Sequence, residues 1–280
     1  MDLDIKSEVF VQGDKIAVVK LLELLMHQRH EWRPDRTTAE SAARFADTLP
    51  FDGVKAFVEE AFIRATSPVA APAGQRAPIT AAELKDLVAD LSQPAVLVVE
   101  DEINEECFLL ALAAAFNEQR IVHAIRADWL TVRHAGGKDR MPLFVERRRR
   151  QFAILVRLAA IMDSDRKNAG HRTRNDTYAA KIREIDGVEL HLWGCREMEN
   201  YIPCRAWEES LPTRQPKVDA LRSKSVEERR YLDVKEHFGG KMPKPLIAEH
   251  TCLTEDDFAE LGPEVVAELR ELLAMINRIL

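Results

Sequence analysis

The chain has 280 residues, 46% of them hydrophobic and 31% charged, enough for one sizeable α/β domain and a smaller helical one. Its net charge of -7 excludes a protein that coats nucleic acid by bulk positive charge, so any such contact must come from a local patch. No uncharged apolar run approaches the roughly 18 residues that span a bilayer, no basic-then-apolar leader opens the chain, and no cysteines are spaced C-x-x-C; the expectation is a cytoplasmic protein with no membrane partner and no zinc site.

Residues 1–66 read as a helical domain. Ile16–Met26 is apolar at helical spacing, Thr37 and Glu40 are spaced as a capping box for a helix over Ala39–Leu49 closed by Pro50, and Val54–Ala65 is amphipathic. Residues 67–79 hold three prolines and a glycine and read as the linker that carries the domain boundary. Thr80 and Glu83 then open a lead-in helix with the stripe Leu84, Leu87, Val88 and Leu91.

From Pro94 the grammar becomes strand–helix alternation. Ala95–Val99 reads as a buried strand, followed by a helix over 104–118 with Cys107, Leu110, Ala111 and Ala114 on one face. Ile121–Arg126 and Trp129–Val132 read as two more strands, Leu143–Phe152 as a helix, Leu158–Met162 as a strand, Asp176–Ile185 as a helix and Val188–Trp193 as a strand. Apolar strands alternating with helices predict a mainly parallel sheet with helices on both faces, over 80–250. Pro263 opens a last helix, with Val266, Leu269, Leu273, Ile276 and Leu280 on one face; residues 251–280 are expected to pack on the α/β core.

Two acidic signals stand directly after strands: Glu100 after AVLVV, and Asp163-Ser164-Asp165 after LAAIM. Open α/β sheets bind ligands beyond the carboxyl ends of their strands. Alternate residues of an extended segment point the same way, so Asp163 and Asp165 are expected to share one cation, and hard carboxylate oxygens suit Mg²⁺ or Mn²⁺. Each piece alone is more often a cap or a solvated turn; their placement at two strand ends points to a site.

VVE, a helix, and then IMDSD resemble a Toprim domain, the Rossmann-like α/β module shared by topoisomerases, primases and OLD-family nucleases. Residues 195–202, CREMENYI, are similar to the R-E-I-E-N-Y stretch of OLD-like Toprim proteins in bacterial anti-phage defence. The resemblance covers about residues 95–250. It implies a metal-dependent nuclease cutting DNA or tRNA, held or triggered by a separate ABC/SMC-like ATPase, with a homodimer among the assemblies left open. Glu100 would be acid/base or metal ligand, Asp163 and Asp165 would hold the ion, and Glu197 and Glu199 would supply a further ligand. Lys241, in Gly239-Gly240-Lys241, is the candidate for the family's late lysine. The chain departs from the family at Asp101, where Gly is frequent, and at Asn104, where Asp is common, which puts a second metal position in doubt.

Residues 101–205 are the basic third, 18 Lys+Arg against 16 Asp+Glu. Within it Arg166, Lys167, Arg172 and Arg174 follow the D-x-D and are candidate substrate contacts, as is Lys138 after Gly136-Gly137; plain solvation weighs evenly against the first four. Arg147–Arg150 cover every side of one helical turn and read mostly as surface. Neither Gly-Gly-Lys completes a phosphate-binding P-loop, since Val132 and Lys235 stand where the first glycine is needed. His191, Trp193 and Tyr201 read as core. Two alternatives remain: a catalytically silent Toprim module that binds a partner, and a receiver-like domain opened by VLVVEDE. The 63 residues from Glu100 to Asp163 are long for the latter, and no Met-Pro turn follows Asp163.

Overall fold

The computed structural model describes residues 2–27, 29–66, 79–248 and 251–280. It divides into two compact units, the first formed by residues 1–93 with 152–156 and 280, the second by 94–151 with 157–279. No helix among the described residues is long and apolar enough to cross a membrane.

The first unit is helical: α1 (Glu8–Gln12), α2 (Lys15–Met26), α3 (Arg36–Ala46), α4 (Asp52–Thr66) and α5 (Leu84–Ser92), with a short parallel pair β1 (Asp2–Leu3) and β2 (Glu31–Trp32). Val18, Leu21 and Leu22 of α2 are sealed against Leu84, Leu87 and Leu91 of α5 in one apolar core. At roughly 1.5–3 kcal/mol for each large side chain removed from water, that packing ties α5 to this unit. The lead-in helix therefore does not belong to the α/β domain: the units part at Gln93/Pro94, while residues 67–78 of the expected linker lie outside the described residues. The cap of α3 also differs from expectation. Asp35, whose carboxylate accepts from the Thr38 N–H at 2.7 Å, is the N-cap, and Glu40 pairs instead with Arg36. Thr80 and Glu83 do bond each other, but α5 begins one turn later, at Leu84.

The second unit is α/β. Its strands β3 (Ala95–Val99), β4 (Leu130–His134), β5 (Leu158–Met162) and β6 (Glu189–Leu192) form one all-parallel sheet in the order β4-β3-β5-β6, a Rossmann-like arrangement. Every residue of β3 and β5 is buried, so both faces of the sheet are covered. The connections carry α6 (Glu102–Ala115), α7 (Gln119–Arg126), α8 (Met141–Arg149) and α9 (Arg174–Arg183). Beyond β6 come a 3-10 turn (Met198–Tyr201), α10 (Cys204–Ser210), α11 (Gln215–Arg222), α12 (Val226–Arg230), α13 (Val234–Phe238), α14 (Glu255–Ala259) and α15 (Pro263–Ile279), and α15 packs on β5, β6 and α7.

Two elements overturn their sequence reading. Residues 121–126 are helix, not strand, because Ile121, Val122 and Ile125 fall on one helical face and all are buried there. On α6 the buried face is Glu105, Phe108, Leu109, Leu112 and Ala113; the stripe of Cys107, Leu110, Ala111 and Ala114 is the outer one. The added helix α7 also accounts for the long spacing from Glu100 to Asp163. Only β4 intervenes, so Asp163 does follow the third parallel strand.

Candidate metal and phosphate site

Strand order places a crevice before any side chain is considered. The chain moves from β3 to β4 on one side and then returns to β5 on the other, so the switch in direction lies between β3 and β5. Glu100 ends β3 and Asp163 ends β5. They meet there: the Asp163 N–H donates to Glu100 Oε1 at 3.0 Å.

The D-x-D segment is not extended. Asp165 has φ +55, a left-handed conformation that aspartate tolerates better than most residues. Ser164 is buried, and its hydroxyl donates to the Cys195 carbonyl at 2.6 Å. Asn175 Nδ2, from the first turn of α9, donates to the Asp163 carbonyl and to Asp165 Oδ2, and the Asp165 N–H donates to the Arg196 carbonyl. Asp163 and Asp165 thus face one point through a turn held by Asn175, not through strand alternation.

That point holds the Lys138 ammonium. Its Nζ lies 2.7 Å from Asp165 Oδ1, 3.2 Å from Glu100 Oε2 and 3.7 Å from Asp163 Oδ2. Burial would pull the Lys138 pKa down, but Asp163, Glu100 and Asp165 outweigh it and hold the ammonium firmly charged. Lys138, expected as a substrate contact, pairs with all three acids. It reaches the acids from the β4–α8 loop, where Gly136 and Gly137 take positive φ.

A second lysine closes the other side. Lys235 on α13 pairs with Glu197 at 3.1 Å and Glu199 at 3.0 Å, both carboxylates buried in the CREMENYI turn. The Met198 N–H donates to Asp163 Oδ1 at 2.9 Å, so this turn and the end of β5 form one assembly. Glu105, on the buried face of α6, accepts from the Asp101 N–H. Burial pushes the Glu105 carboxyl well above the usual range, and repulsion from Asp163, Glu100 and Glu199 adds to it. Asp163 is raised in the same way, by burial first and Glu100 second, and Glu100 is raised by burial against the pull of Lys138. Burial is the first cause in all three, and repulsion among the carboxyls adds to it.

The remaining candidates separate. Arg166 is committed to Asp176 at 2.6 Å, while Lys167 lines an open cleft of mixed charge with Arg196 and Lys224 and with Glu227, Glu228, Asp233 and Glu236. Arg172 and Arg174 are exposed. Lys241 is exposed and forms no ion pair with any of these acids; Lys138 and Lys235 take that place. Asn104 is structural: it bonds Asp101 and accepts the Leu246 N–H. Arg148, Arg149 and Arg150 bond Gln151, the Asp186 carbonyl and Glu146, as a helix surface would. Trp193 and Tyr201 are fully buried. Burial pushes the Cys195 and Cys204 thiols up to about 11, which removes them as nucleophiles near neutral pH.

The donor set is all hard carboxylate oxygen, the chemistry Mg²⁺ and Mn²⁺ prefer. As the side chains stand, though, no group of three or more His, Cys, Asp or Glu among the described residues is arranged around a metal position. The Lys138 ammonium stands where the three carboxylates converge. Comparison of the chain with family models, curated proteins and solved structures returns no match.

Proposed function

We propose that the second unit is a Toprim-type phosphodiester hydrolase acting on DNA or tRNA with Mg²⁺ or Mn²⁺. The observation that carries it is the convergence of Glu100, Asp163 and Asp165 at the switch point of a parallel sheet. Glu100, Asp163 and Asp165 would hold the ion, with Glu197 and Glu199 behind them. A divalent ion bound there supplies phosphate polarisation and a water of lowered pKa. Glu100, whose own pKa is raised, suits a group that takes or returns a proton near the phosphate. Asn175 and the Met198 N–H fix the orientation of the two aspartates, and exposed Lys167, two residues beyond Asp165, would contact the nucleic acid. On the resemblance of its motifs, the proposal extends to an anti-phage effector held in check by a separate ABC/SMC-like ATPase.

The test is cleavage of plasmid, linear DNA and total tRNA with Mg²⁺ or Mn²⁺ by wild type, Glu100→Gln and Asp163→Asn. Cutting that both substitutions reduce by roughly 10²-fold or more supports the site. Cutting that survives both rejects it.

One observation favours a second reading, a catalytically silent module: Lys138 already neutralises the acids that would bind the ion. Ion binding with no cleavage of any substrate, with or without a partner ATPase, would support the silent module.

A further inference from the structure

We infer that Lys138 is a built-in stand-in for the metal ion, and that ion binding and its three-carboxylate contact exclude each other. The inference rests on the metal-site reading above and adds a regulation to it: loading the ion releases the Gly136–Lys138 loop.

Geometry makes the two occupants incompatible. The ammonium sits 2.7 Å and 2.8 Å from the two Asp165 oxygens and 3.2 Å from Glu100 Oε2. Mg²⁺ needs its oxygens at about 2.1 Å, so an ion drawing on those atoms would lie nearly in contact with Nζ, cation against cation. Charge sets the direction of exchange. A divalent ion brings one more positive charge to the three carboxyl groups than the ammonium it replaces.

The Lys138 side chain can leave without breaking a strand pairing. Lys138 lies between β4 and α8, and its side chain is 29% exposed, so it has a path to water. Gly136 at φ +83 and Gly137 at φ +123 precede it, and a Cβ at Gly136 would meet nothing closer than 3.8 Å. Asp163 and Asp165 keep other anchors when the ammonium leaves: the Met198 N–H on Asp163 Oδ1 and Asn175 Nδ2 on Asp165 Oδ2.

The experiment follows Lys138 itself. Purified full-length protein is titrated with Mn²⁺ by calorimetry, and lysine acetylation by an activated acetyl ester is mapped by mass spectrometry in EDTA and in saturating Mn²⁺. Lys138 should label slowly in EDTA and severalfold faster with the ion, while exposed Lys241 serves as an unchanging reference. Lys138→Met should bind Mn²⁺ about tenfold tighter than wild type, and Lys138→Arg, which keeps the charge, should not. Labelling that stays slow while the ion binds overturns the exchange and leaves the metal site standing. The wild-type labelling decides even if Lys138→Met fails to fold. No Mn²⁺ binding to wild type or Lys138→Met overturns the metal site and the exchange together.

Discussion

The Tyr201 hydroxyl donates to Glu268 Oε2 at 2.6 Å, joining the CREMENYI turn to the last helix across 67 residues of chain. The same phenol oxygen accepts from the Cys195 N–H at 2.8 Å, and the Gly194 N–H donates to Glu268 Oε1 at 2.7 Å. Removing the hydroxyl leaves a buried N–H unpaired. Tyr201→Phe should therefore cost about 1–3 kcal/mol in urea denaturation. A loss under a few tenths of that would mean that the turn is held by packing alone.

Glu268 gives the protein an acid limit. Burial would raise its carboxyl, but bonds from His191, Tyr201 and the Gly194 N–H prevail and leave it below the ordinary 4.5. A depressed folded value means that the stabilisation is complete above the unfolded value and disappears as pH falls through the folded one. Glu268→Gln should lower the urea midpoint at pH 7, and the gap from wild type should narrow below about pH 4.5. A gap that stays constant to pH 3 would contradict the assignment.

Glu105 works in the opposite sense. Its raised carboxyl keeps its proton more tightly in the fold than in the unfolded chain, so its contribution is full at low pH and is lost as pH rises through the folded value. Glu105→Gln keeps an oxygen for the Asp101 N–H and removes a buried charge. In EDTA it should raise the melting temperature relative to wild type, by more at pH 8.5 than at pH 5. Equal or lower melting at both values would show that the charge is compensated by a group outside this cluster.

Asp90 serves the first unit. It is buried on α5 and accepts from the N–H groups of Ala153, Ile154 and Leu155 at 3.0, 2.8 and 2.8 Å. Asp90→Ala orphans all three. A loss of about 3 kcal/mol or more is expected, because bonds to a charged acceptor are worth roughly 1.5–3 kcal/mol each. A loss below 1 kcal/mol would show that water replaces the carboxylate.

What the sequence made legible was local. AVLVV, rich in β-branched residues, and LAAIM, wholly apolar, read as doubly covered strands, and an acid follows each, so Glu100 and Asp163 could be placed at the carboxyl end of the sheet from the text alone. IVHAIR misled because a short apolar run suits strand and helix alike; its i, i+1, i+4 spacing was the helical clue. On α6 two stripes of similar hydropathy compete, and only packing chooses between them. Lys138 was noticed for the glycines before it, but its partners lie 27 residues along the chain at Asp165 and on two neighbouring strands, contacts that strand order creates. Lys235 carried no local signal: it meets Glu197 and Glu199 only because α13 folds back over the turn.

Residues 152–156 belong with the helical unit although they lie in the chain between β4 and β5 of the other. The polypeptide leaves the first unit at Pro94, builds half of the sheet, revisits Asp90, and only then supplies the strand that carries Asp163. A fragment starting at Pro94 would carry that returning segment without the carboxylate that clasps it. The helical unit is thus threaded into the order of synthesis of the α/β one. Because the first unit takes residues 152–156 and 280 as well as 1–93, exchanging it for another N-terminal module would need more than a single splice.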